Sequence, residues 1–428
     1  MTGSSTDGPP ALRAAVLSVG TELLLGDLTD SNATWVSARL RERGVAVVHH
    51  VAAADEVGSI VDALRWLASR ADLVVVGGGL GPTSDDLTRE AVAAALGAEL
   101  ELREDLEEAI VARFAALGRV MAPRNRRQAF VPRGARTAPP VGTAPAFAID
   151  LARPDADGSA RVVALPGVPW ELHELWGTFV VPELDELGVT GATVTRIVHV
   201  AGRGESDVAT VVEPLVADDA AVTLAFLAKQ HGLQVRLTAS GRDPQDAAAR
   251  AQPAVDRVVA ALGPAVSGVD DADLETTVVR LLAERGQRVA TAESATGGAI
   301  AARLTRVPRA SAVLVGGLVV YRDEAKSLLA GIDADLVARE GAVSEAVTRA
   351  LALAVRERCG ADWGLAVTGV AGPGPVDALP VGMSFWALAA PDGSCEVHGR
   401  SIPGDRAAVI ARLGSAALDL LRRRLLGG

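Results

Sequence analysis

Hydrophobic and polar positions along this chain predict strands and helices that follow one another. The run LRAAVLSVG near the start is typical of a buried strand, and SNATWVSARLRERG after it places Val36 and Leu40 on one helical face. The same succession continues through VAVVHHV, SIVDALRWLASR, DLVVVGGG and TREAVAAALG. Such alternation predicts a parallel sheet with helices on both faces.

A second alternating series begins near Asp273. Its predicted strands are QRVATAES, SAVLVGGLVVY and DWGLAVTG, and a hairpin is expected around Asp392 and Gly393. Between the two series, RIVHVAG, LQVRLTASG and DAAARAQPAVDRVVAALG predict a small α+β module, followed by a linker, GPAVSGVDDAD. The predicted fold class is α/β, with two three-layer α/β/α domains at 11–173 and 268–428 joined by the small α+β module at 174–262.

Composition narrows the classes of function. The net charge of −11 argues against a nucleic-acid partner and an anionic membrane surface. No apolar stretch reaches the roughly 18 residues of a membrane span, and the polar start MTGSSTDGPP lacks the pattern of a secretion signal. Cys359 and Cys395 have no metal-ligand spacing, so a reduced, cytoplasmic setting is expected.

Lysine is rare enough in this chain to be informative. The 428 residues include two lysines against forty arginines, and Lys326 lies five residues after the single tyrosine, Tyr321. An arginine stays protonated at working pH, whereas a desolvated lysine can release its proton. The two residues are therefore interpreted as a proton-transfer pair, with chance placement as the alternative.

Ser294 stands where a predicted strand, QRVATAES, meets the start of a helix. Ligands bind at this edge of open α/β sheets, and free N–H groups near Gly297 and Gly298 would hold an oxyanion or a phosphate. A serine nucleophile needs a base. His398 lies in a predicted hairpin strand, so Lys326 is the better base and a serine hydrolase without histidine is the leading hypothesis. The alternative is that Ser294 only caps a helix.

Further candidates follow other strands. Thr368, in TGVAGPGP, is a predicted donor to a ligand, and Arg406, in PGDR, is a predicted phosphate clamp. An ordinary glycine-rich loop and a solvated arginine are the alternatives.

The first domain carries an anion cradle in VVVGGGLGPTSDDLT. Asp85 and Asp86 in that string could bind a divalent cation that bridges to a phosphate, or they could simply favour a helix dipole. Glu22 and Asp27 form a second acidic pair. A basic cluster suited to phosphates, with a solvated helix face as the alternative, comprises Arg124, Arg126 and Arg127.

Taken together, these strings resemble the CinA family of competence/damage-inducible proteins. GTELLLGD, GGGLGPTSDDLT, RNRRQA, VGTAPAF and LPGVP resemble its N-terminal domain, which is similar to the molybdopterin-binding domains of MoaB and MogA. ATAESATGG, YRDEAK, GAVSE, TGVAGPG, PVGM and GDR resemble its C-terminal domain, found alone as the nicotinamide-nucleotide amidohydrolase PncC. The middle module takes the position of the family's KH-like module. It lacks a GxxG loop, so RNA binding is not carried over.

The resemblance implies hydrolysis of the carboxamide of nicotinamide mononucleotide to nicotinate mononucleotide and ammonia, in pyridine nucleotide salvage and without a cofactor. Ser294 would be the nucleophile, with Tyr321 and Lys326 as the activating pair. The implied substrate-binding residues are Glu293, Thr296, Gly297, Gly298, Thr368, Gly369, Gly372 and Arg406.

For some members, the resemblance also implies a metal-dependent ADP-ribose pyrophosphatase in the N-terminal domain, with Asp85 and Asp86 as metal ligands. The implied N-terminal site comprises Glu22, Gly78, Gly79, Gly81, Asp85, Asp86 and Asn125. A non-catalytic binding protein linked to competence or DNA damage is the third hypothesis. A homo-oligomer is a family-based expectation.

Three positions depart from the family pattern. Ala295 stands where the family usually has cysteine, Asp323 where it has asparagine, and Pro375 where it tends to glycine. The carboxylate at 323 adds negative charge beside Lys326, which favours the protonated amine and opposes its role as a base.

Overall fold

The computed structural model describes residues 12–153, 157–376 and 378–427. They form two compact units. One contains the described residues up to Val194 together with Ser240–Ala247, and the other contains Thr195–Ala239 and the chain from Ala248 onward. Within the described ranges, none of the helices combines the length and apolar character that crossing a bilayer requires.

A six-stranded sheet forms the centre of the first domain. Its strands and those of a small neighbouring ladder are β1 (Arg13–Val19), β2 (Ala46–Ala53), β3 (Leu73–Gly77), β4 (Leu100–Leu102), β5 (Phe130–Pro132), β6 (Arg136–Ala138), β7 (Ala146–Ala152) and β8 (Ser159–Leu165). The helices are α1 (Thr21–Leu25), α2 (Ser31–Glu42), α3 (Val57–Ala68), α4 (Thr88–Leu96), α5 (Glu104–Ala116), α6 (Pro169–Leu175) and α7 (Val181–Glu186). The strand order is β2-β1-β3-β8-β7-β6, with the first four strands parallel.

Apolar side chains cover both faces of this sheet. Ile60 and Leu64 of α3 belong to one core with α4 and α5, and Val36 and Leu40 of α2 belong to the other with α6 and α7. Residues 174–187, which the sequence assigned to the second segment, pack in this second core, so the first domain extends further than the predicted 11–173.

The middle module is a four-stranded sheet with two helices. Its elements are β9 (Ala192–Val200), α8 (Glu205–Val216), β10 (Val222–Lys229), β11 (Gly232–Gly241), α9 (Pro244–Leu262) and β12 (Val266–Val269), in the strand order β10-β11-β9-β12. The segment predicted as a linker is therefore partly an edge strand, because Val266–Val269 pairs antiparallel with β9. Asp270 follows it and accepts hydrogen bonds from Arg196 Nε (2.7 Å) and Ile197 N (2.9 Å).

The last domain has a five-stranded sheet in the order β14-β13-β15-β16-β17. Its elements are α10 (Leu274–Arg285), β13 (Val289–Glu293), α11 (Ala299–Thr305), β14 (Leu314–Val319), α12 (Asp323–Ala330), α13 (Ala334–Glu340), α14 (Glu345–Arg358), β15 (Trp363–Gly369), β16 (Met383–Ala389), β17 (Cys395–Ser401) and α15 (Arg406–Leu425). β14, β13 and β15 are parallel, and β16 and β17 form the predicted hairpin. Apolar cores cover both faces, which confirms two three-layer α/β domains with a small α+β module between them in sequence.

A buried arginine fastens the middle module to α15. Arg422 donates through Nε (2.9 Å) and Nη2 (2.7 Å) to one carboxylate oxygen of Asp419, and the other oxygen pairs with Arg423. Arg422 also donates to the carbonyls of Val266 (2.9 Å) and Pro264 (2.6 Å). Removal of one partner from a buried charged network leaves the rest uncompensated, so loss of Arg422 alone should be strongly destabilising.

We expect Arg422→Met to destabilise residues 195–427 by about 3–5 kcal/mol, the range for breaking a buried ion pair. Amide exchange in peptides covering 263–269 and 411–425 should accelerate together. The matched control is Arg280→Met, which removes an exposed pair with Glu284 and should cost about 0.5 kcal/mol. Equal exchange in the two variants would contradict a fastening role for Arg422.

Candidate functional site

Three parallel strands end side by side in the last domain. Glu293, the last residue of β13, lies opposite Val319 of β14 and Val367 of β15. The N–H of Ser294 donates to the carbonyl of Val367 (3.1 Å), and the N–H of Val320 donates to that of Glu293 (2.9 Å). Since ligands bind at the carboxyl edge of such sheets, the chain presents its candidate nucleophile at the expected edge.

A carboxylate organises the turn that carries Ser294. Glu293 is buried, and its oxygens accept hydrogen bonds from the hydroxyl of Thr296 (2.6 Å) and from the N–H groups of Gly298 (3.1 Å), Ile300 (3.0 Å) and Ala301 (2.9 Å). This negative charge sits at the amino end of α11, where a helix dipole stabilises it. Glu293 and Thr296 are predicted substrate-binding residues. Their side chains form hydrogen bonds within the turn itself.

The prediction placed free N–H groups near Gly297 and Gly298, but the amides of these two glycines are themselves not free. Gly297 N–H donates to the Ser294 carbonyl (3.0 Å) and Gly298 N–H to Glu293, because the turn folds back on its own carboxylate. Both glycines adopt positive φ angles (60° and 98°), which the tight turn requires. In the described part of the chain, the N–H groups of Ala295 and Thr296 donate to no protein acceptor, so these two amides are the available donors for an oxyanion.

Ser294 and Lys326 are both buried at this edge, but they do not bond to each other. Ser294 is 7% exposed, and its hydroxyl has no hydrogen-bond partner among the described residues. Lys326, on α12, is 1% exposed, and its Nζ donates to Asp323 Oδ1 at 3.1 Å. The Asp323 carboxylate is 62% exposed, so it links the buried amine to solvent. The carboxylate that departs from the family pattern thus holds the amine in this structure.

Tyr321 and Arg406 are in direct contact. The phenol oxygen accepts a hydrogen bond from Nη2 of Arg406 (2.6 Å), and Nη1 of Arg406 donates to the carbonyl of Gly372 (2.7 Å). Both terminal nitrogens of the predicted phosphate clamp therefore already bind protein groups. No hydrogen bond joins Tyr321 to Ser294 or Lys326 within the described ranges.

Thr368 does not have the predicted role of a donor to a ligand. It is fully buried, and its hydroxyl lies 2.7 Å from that of Thr348, whose own proton goes to the Ser344 carbonyl (2.6 Å). Thr368 must therefore donate to Thr348. Gly369 is required by packing, because an added Cβ would lie 2.8 Å from the Ser384 hydroxyl.

A cleft of about 830 Å³ opens beside Asp323, and sequence reasoning missed it. Residues 337–345, between and including the ends of α13 and α14, form much of its wall, with Leu379 and Phe385 opposite. From sequence, this wall contains one string that resembles the family, GAVSE, and the resemblance implies no role for it. Because Asp323 lines the cleft and bonds Lys326, the amine lies just behind its surface.

In the first domain, a buried arginine binds carbonyl groups of the glycine-rich loop. Arg89 is buried and donates to the carbonyls of Leu80 (2.6 Å) and Gly81 (2.8 Å). Burial lowers the pKa of Arg89 to about 10, so it stays charged at neutral pH. Gly79 has φ +67°, and an added Cβ there would lie 2.3 Å from the Thr88 hydroxyl. Thr88 in turn donates to the carbonyl of Gly78 (2.8 Å), so loop and helix α4 interlock.

Asp86 locks the same loop rather than offering its oxygens to a metal. One oxygen accepts from Gly81 N–H (2.7 Å), and the other accepts from the N–H (2.8 Å) and hydroxyl of Thr83. Asp85 is exposed, and the described residues contain no group of three His, Cys, Asp or Glu side chains that could hold a metal ion. A divalent cation bound between Asp85 and Asp86 does not fit this donor set.

The remaining N-terminal candidates have mixed positions. Arg126 pairs with Glu107 (2.9 Å) and Arg127 with Glu90 (2.7 Å). Arg124 has no partner among the described residues. It lines a cleft of about 540 Å³ with residues 82–84, Pro123, Arg126, Arg127 and Phe130. Asn125 is buried and donates to Gln128 (3.0 Å), whereas Glu22 is exposed on α1.

We expect Asp86→Ala to destabilise the first domain by about 1–3 kcal/mol, because it leaves the loop donors unpaired. Asp85→Ala should change the free energy of unfolding by less than about 0.5 kcal/mol. Both values are to be measured by urea unfolding with a chelator present, together with amide exchange at Gly81 and Thr83. A cost for Asp86→Ala that appears only after a divalent metal is added would instead support a metal role.

Comparison with known proteins accounts for almost the whole chain. Residues 15–186 match the family described as probable molybdopterin binding domain, 195–268 the damage-inducible protein CinA KH domain, and 271–425 the CinA C-terminal domain.

Full-length relatives point the same way. A CinA-like protein of Frankia casuarinae is 41% identical over 426 residues, covering 97% of each chain. A CinA-like protein of Synechococcus is 41% identical over 416 residues, covering 96% of this chain and 98% of its own. Among solved structures, a CinA protein of unknown function from Thermoplasma acidophilum is 33% identical, covers 40% of this chain and 98% of its own, and has a TM-score of 0.36. With its three domains matched in order and relatives aligned over nearly its full length, this chain belongs to the CinA family.

Proposed function

We propose that this protein hydrolyses the carboxamide of nicotinamide mononucleotide, giving nicotinate mononucleotide and ammonia. The observation that carries the proposal is a lysine 1% exposed that bonds to a residue lining a cleft of about 830 Å³, in the same domain as a buried serine whose hydroxyl is unpaired. A lysine can serve as a base once it has released its proton, a role that an arginine cannot fill at working pH. The resemblance to nicotinamide-nucleotide amidohydrolases supplies the substrate.

Ser294 Oγ attacks the carboxamide carbon while the neutral amine of Lys326 takes its proton, with Tyr321 as relay. The N–H groups of Ala295 and Thr296 donate to the oxygen that becomes negative. The tetrahedral intermediate then collapses, the C–N bond breaks, and the leaving nitrogen takes a proton from the lysine and departs as ammonia. Water attacks the acyl-serine in the same manner, releases nicotinate mononucleotide and restores the hydroxyl.

Two features of the structure must change for these reaction steps to occur. The amine must exchange its contact with Asp323 for one with the serine hydroxyl or the phenol, and it must be neutral. The pyridinium ring withdraws electrons from the amide, which makes the carbonyl carbon more open to attack. The cleft beside Asp323 offers room for the nucleotide, and because neither Ser294 nor Tyr321 lines it, the carboxamide would have to extend from the cleft to the serine.

The alternative of a metal-dependent ADP-ribose pyrophosphatase gains no support from Asp85 and Asp86, since both carboxylate oxygens of Asp86 already accept hydrogen bonds from its own loop. The unpaired Arg124 in the cleft of the first domain is suited to an anion, and this alone favours no reaction there.

Ser294→Ala and Lys326→Met should each lower the rate of ammonia release from nicotinamide mononucleotide by about 10³-fold, because nucleophile and base are removed. The chain provides its own control. Lys229 is the other lysine and is exposed, so Lys229→Met should keep the wild-type rate. Rates are measured as ammonia production at saturating substrate. Undiminished release in both site variants would refute the mechanism, and a blank wild type would favour a non-catalytic binding role.

Asp323→Asn should raise the rate of ammonia release severalfold at fixed pH. The Asp323 carboxylate accepts a hydrogen bond from the Lys326 amine (3.1 Å), and the amine must leave this contact before it can take a proton from the serine. A neutral amide accepts more weakly than a carboxylate, so this exchange should be easier in the variant. The gain is small because the carboxylate is 62% exposed.

Glu324→Gln is the matched control for this change in rate. It removes an equal charge from the adjacent position, but Glu324 faces Arg322 (3.4 Å) rather than the amine. An unchanged rate in Asp323→Asn, or an equal rise in both variants, would show that Asp323 does not act on Lys326.

A further inference from the structure

Arg406 joins three segments of the last domain at the candidate active site. It is the first residue of α15, and Asp405 before it caps the helix by accepting from Ala408 N–H (2.8 Å). From this anchored position, its guanidinium donates to the phenol oxygen of Tyr321 (2.6 Å) and to the Gly372 carbonyl (2.7 Å). The helix start, the glycine-rich loop and the segment between β14 and α12 are thereby tied together.

This contact determines where the phenol group of Tyr321 can act. The Tyr321 side chain is 55% exposed, and Arg406 is the only hydrogen-bond partner of its hydroxyl among the described residues. Because the phenol oxygen accepts from a permanently charged donor, its own proton is left free to point elsewhere. The guanidinium also stabilises negative charge that develops on the oxygen while that proton is in transit.

We propose that Arg406 is a positioning residue for Tyr321 in the amidase reaction, and not the clamp of the substrate phosphate. The inference rests on the proposed function for its kinetic part. Two of the five N–H groups of Arg406 already donate to protein atoms, which fixes the guanidinium against Tyr321 and Gly372 and leaves fewer donors for a phosphate. With Tyr321 held, the phenol can relay a proton between the serine hydroxyl and the lysine amine without first being ordered.

Kinetics separate the two roles. Arg406→Met should lower kcat about tenfold while KM for nicotinamide mononucleotide changes less than about twofold. The same kcat loss is expected with nicotinamide riboside, which lacks the phosphate. Arg406→Met should slow Tyr321→Phe little further, because both act through one hydrogen bond. Arg406→Lys, which retains a donor and a charge, should recover part of the rate.

The single tyrosine gives a readout that does not need turnover. In full-length protein labelled with ¹³C-tyrosine, one Cζ resonance is expected, and it should shift in Arg406→Met because its oxygen loses a donor. Arg412→Met is the control, since Arg412 lies on the same helix and donates to the Pro403 carbonyl. It should leave the resonance in place.

The possible results have distinct meanings. A rise in KM confined to the phosphorylated substrate, additive effects with Tyr321→Phe, or an unmoved tyrosine resonance would each overturn the positioning role. A wild-type chain that releases no ammonia would end the proposed function and the kinetic part of this inference. The resonance would still confirm or refute the contact between Arg406 and Tyr321.

Discussion

The geometry of the last domain depends on the carboxylate of Glu293. Glu293 is the last residue of β13, which lies between β14 and β15 in the sheet. Its carboxylate accepts hydrogen bonds from one hydroxyl and three backbone N–H groups across the turn into α11. Each of those donors would otherwise be left unpaired at a helix start, at a cost of about 1–3 kcal/mol for a buried group. Ser294 is the next residue, so the same bonds that complete the helix also fix the serine backbone at the sheet edge.

Local patterns predicted most of the architecture. β3 is a continuous apolar run, LVVVG, and the hairpin of β16 and β17 has its Asp392–Gly393 turn. Both could be predicted because these signals lie within short windows of sequence. The strand β12 was missed. Its four residues, Val266–Val269, lie among Gly, Pro and Asp, and it exists because it pairs with β9 more than sixty residues away. A pairing of that kind leaves no signal in its own window.

For the candidate site, too, some features could be predicted from the sequence and others could not. Sequence could name Ser294 and Thr368 because each lies at or near the end of a strand, at the edge where ligands bind. It could not assign their partners. The hydroxyl of Thr368 donates to Thr348 on α14, and the amide of Gly298 donates to Glu293. The cleft wall consists largely of residues 337–345, whose residue types do not suggest a site. Hydrogen-bond capacity is spent by tertiary neighbours, so residue type and spacing alone overestimate what remains for a ligand.

The scarcity of lysine has a practical consequence. Apart from the terminal α-amine, the chain offers acylating reagents only two amines: Lys229, which is exposed, and Lys326, which is enclosed. The ratio of labelling at Lys326 to labelling at Lys229 in one sample therefore measures how often the cleft wall opens and exposes Lys326. Lys229 serves as the internal standard, and protection of Lys326 by a bound nucleotide would be visible without any coupled assay.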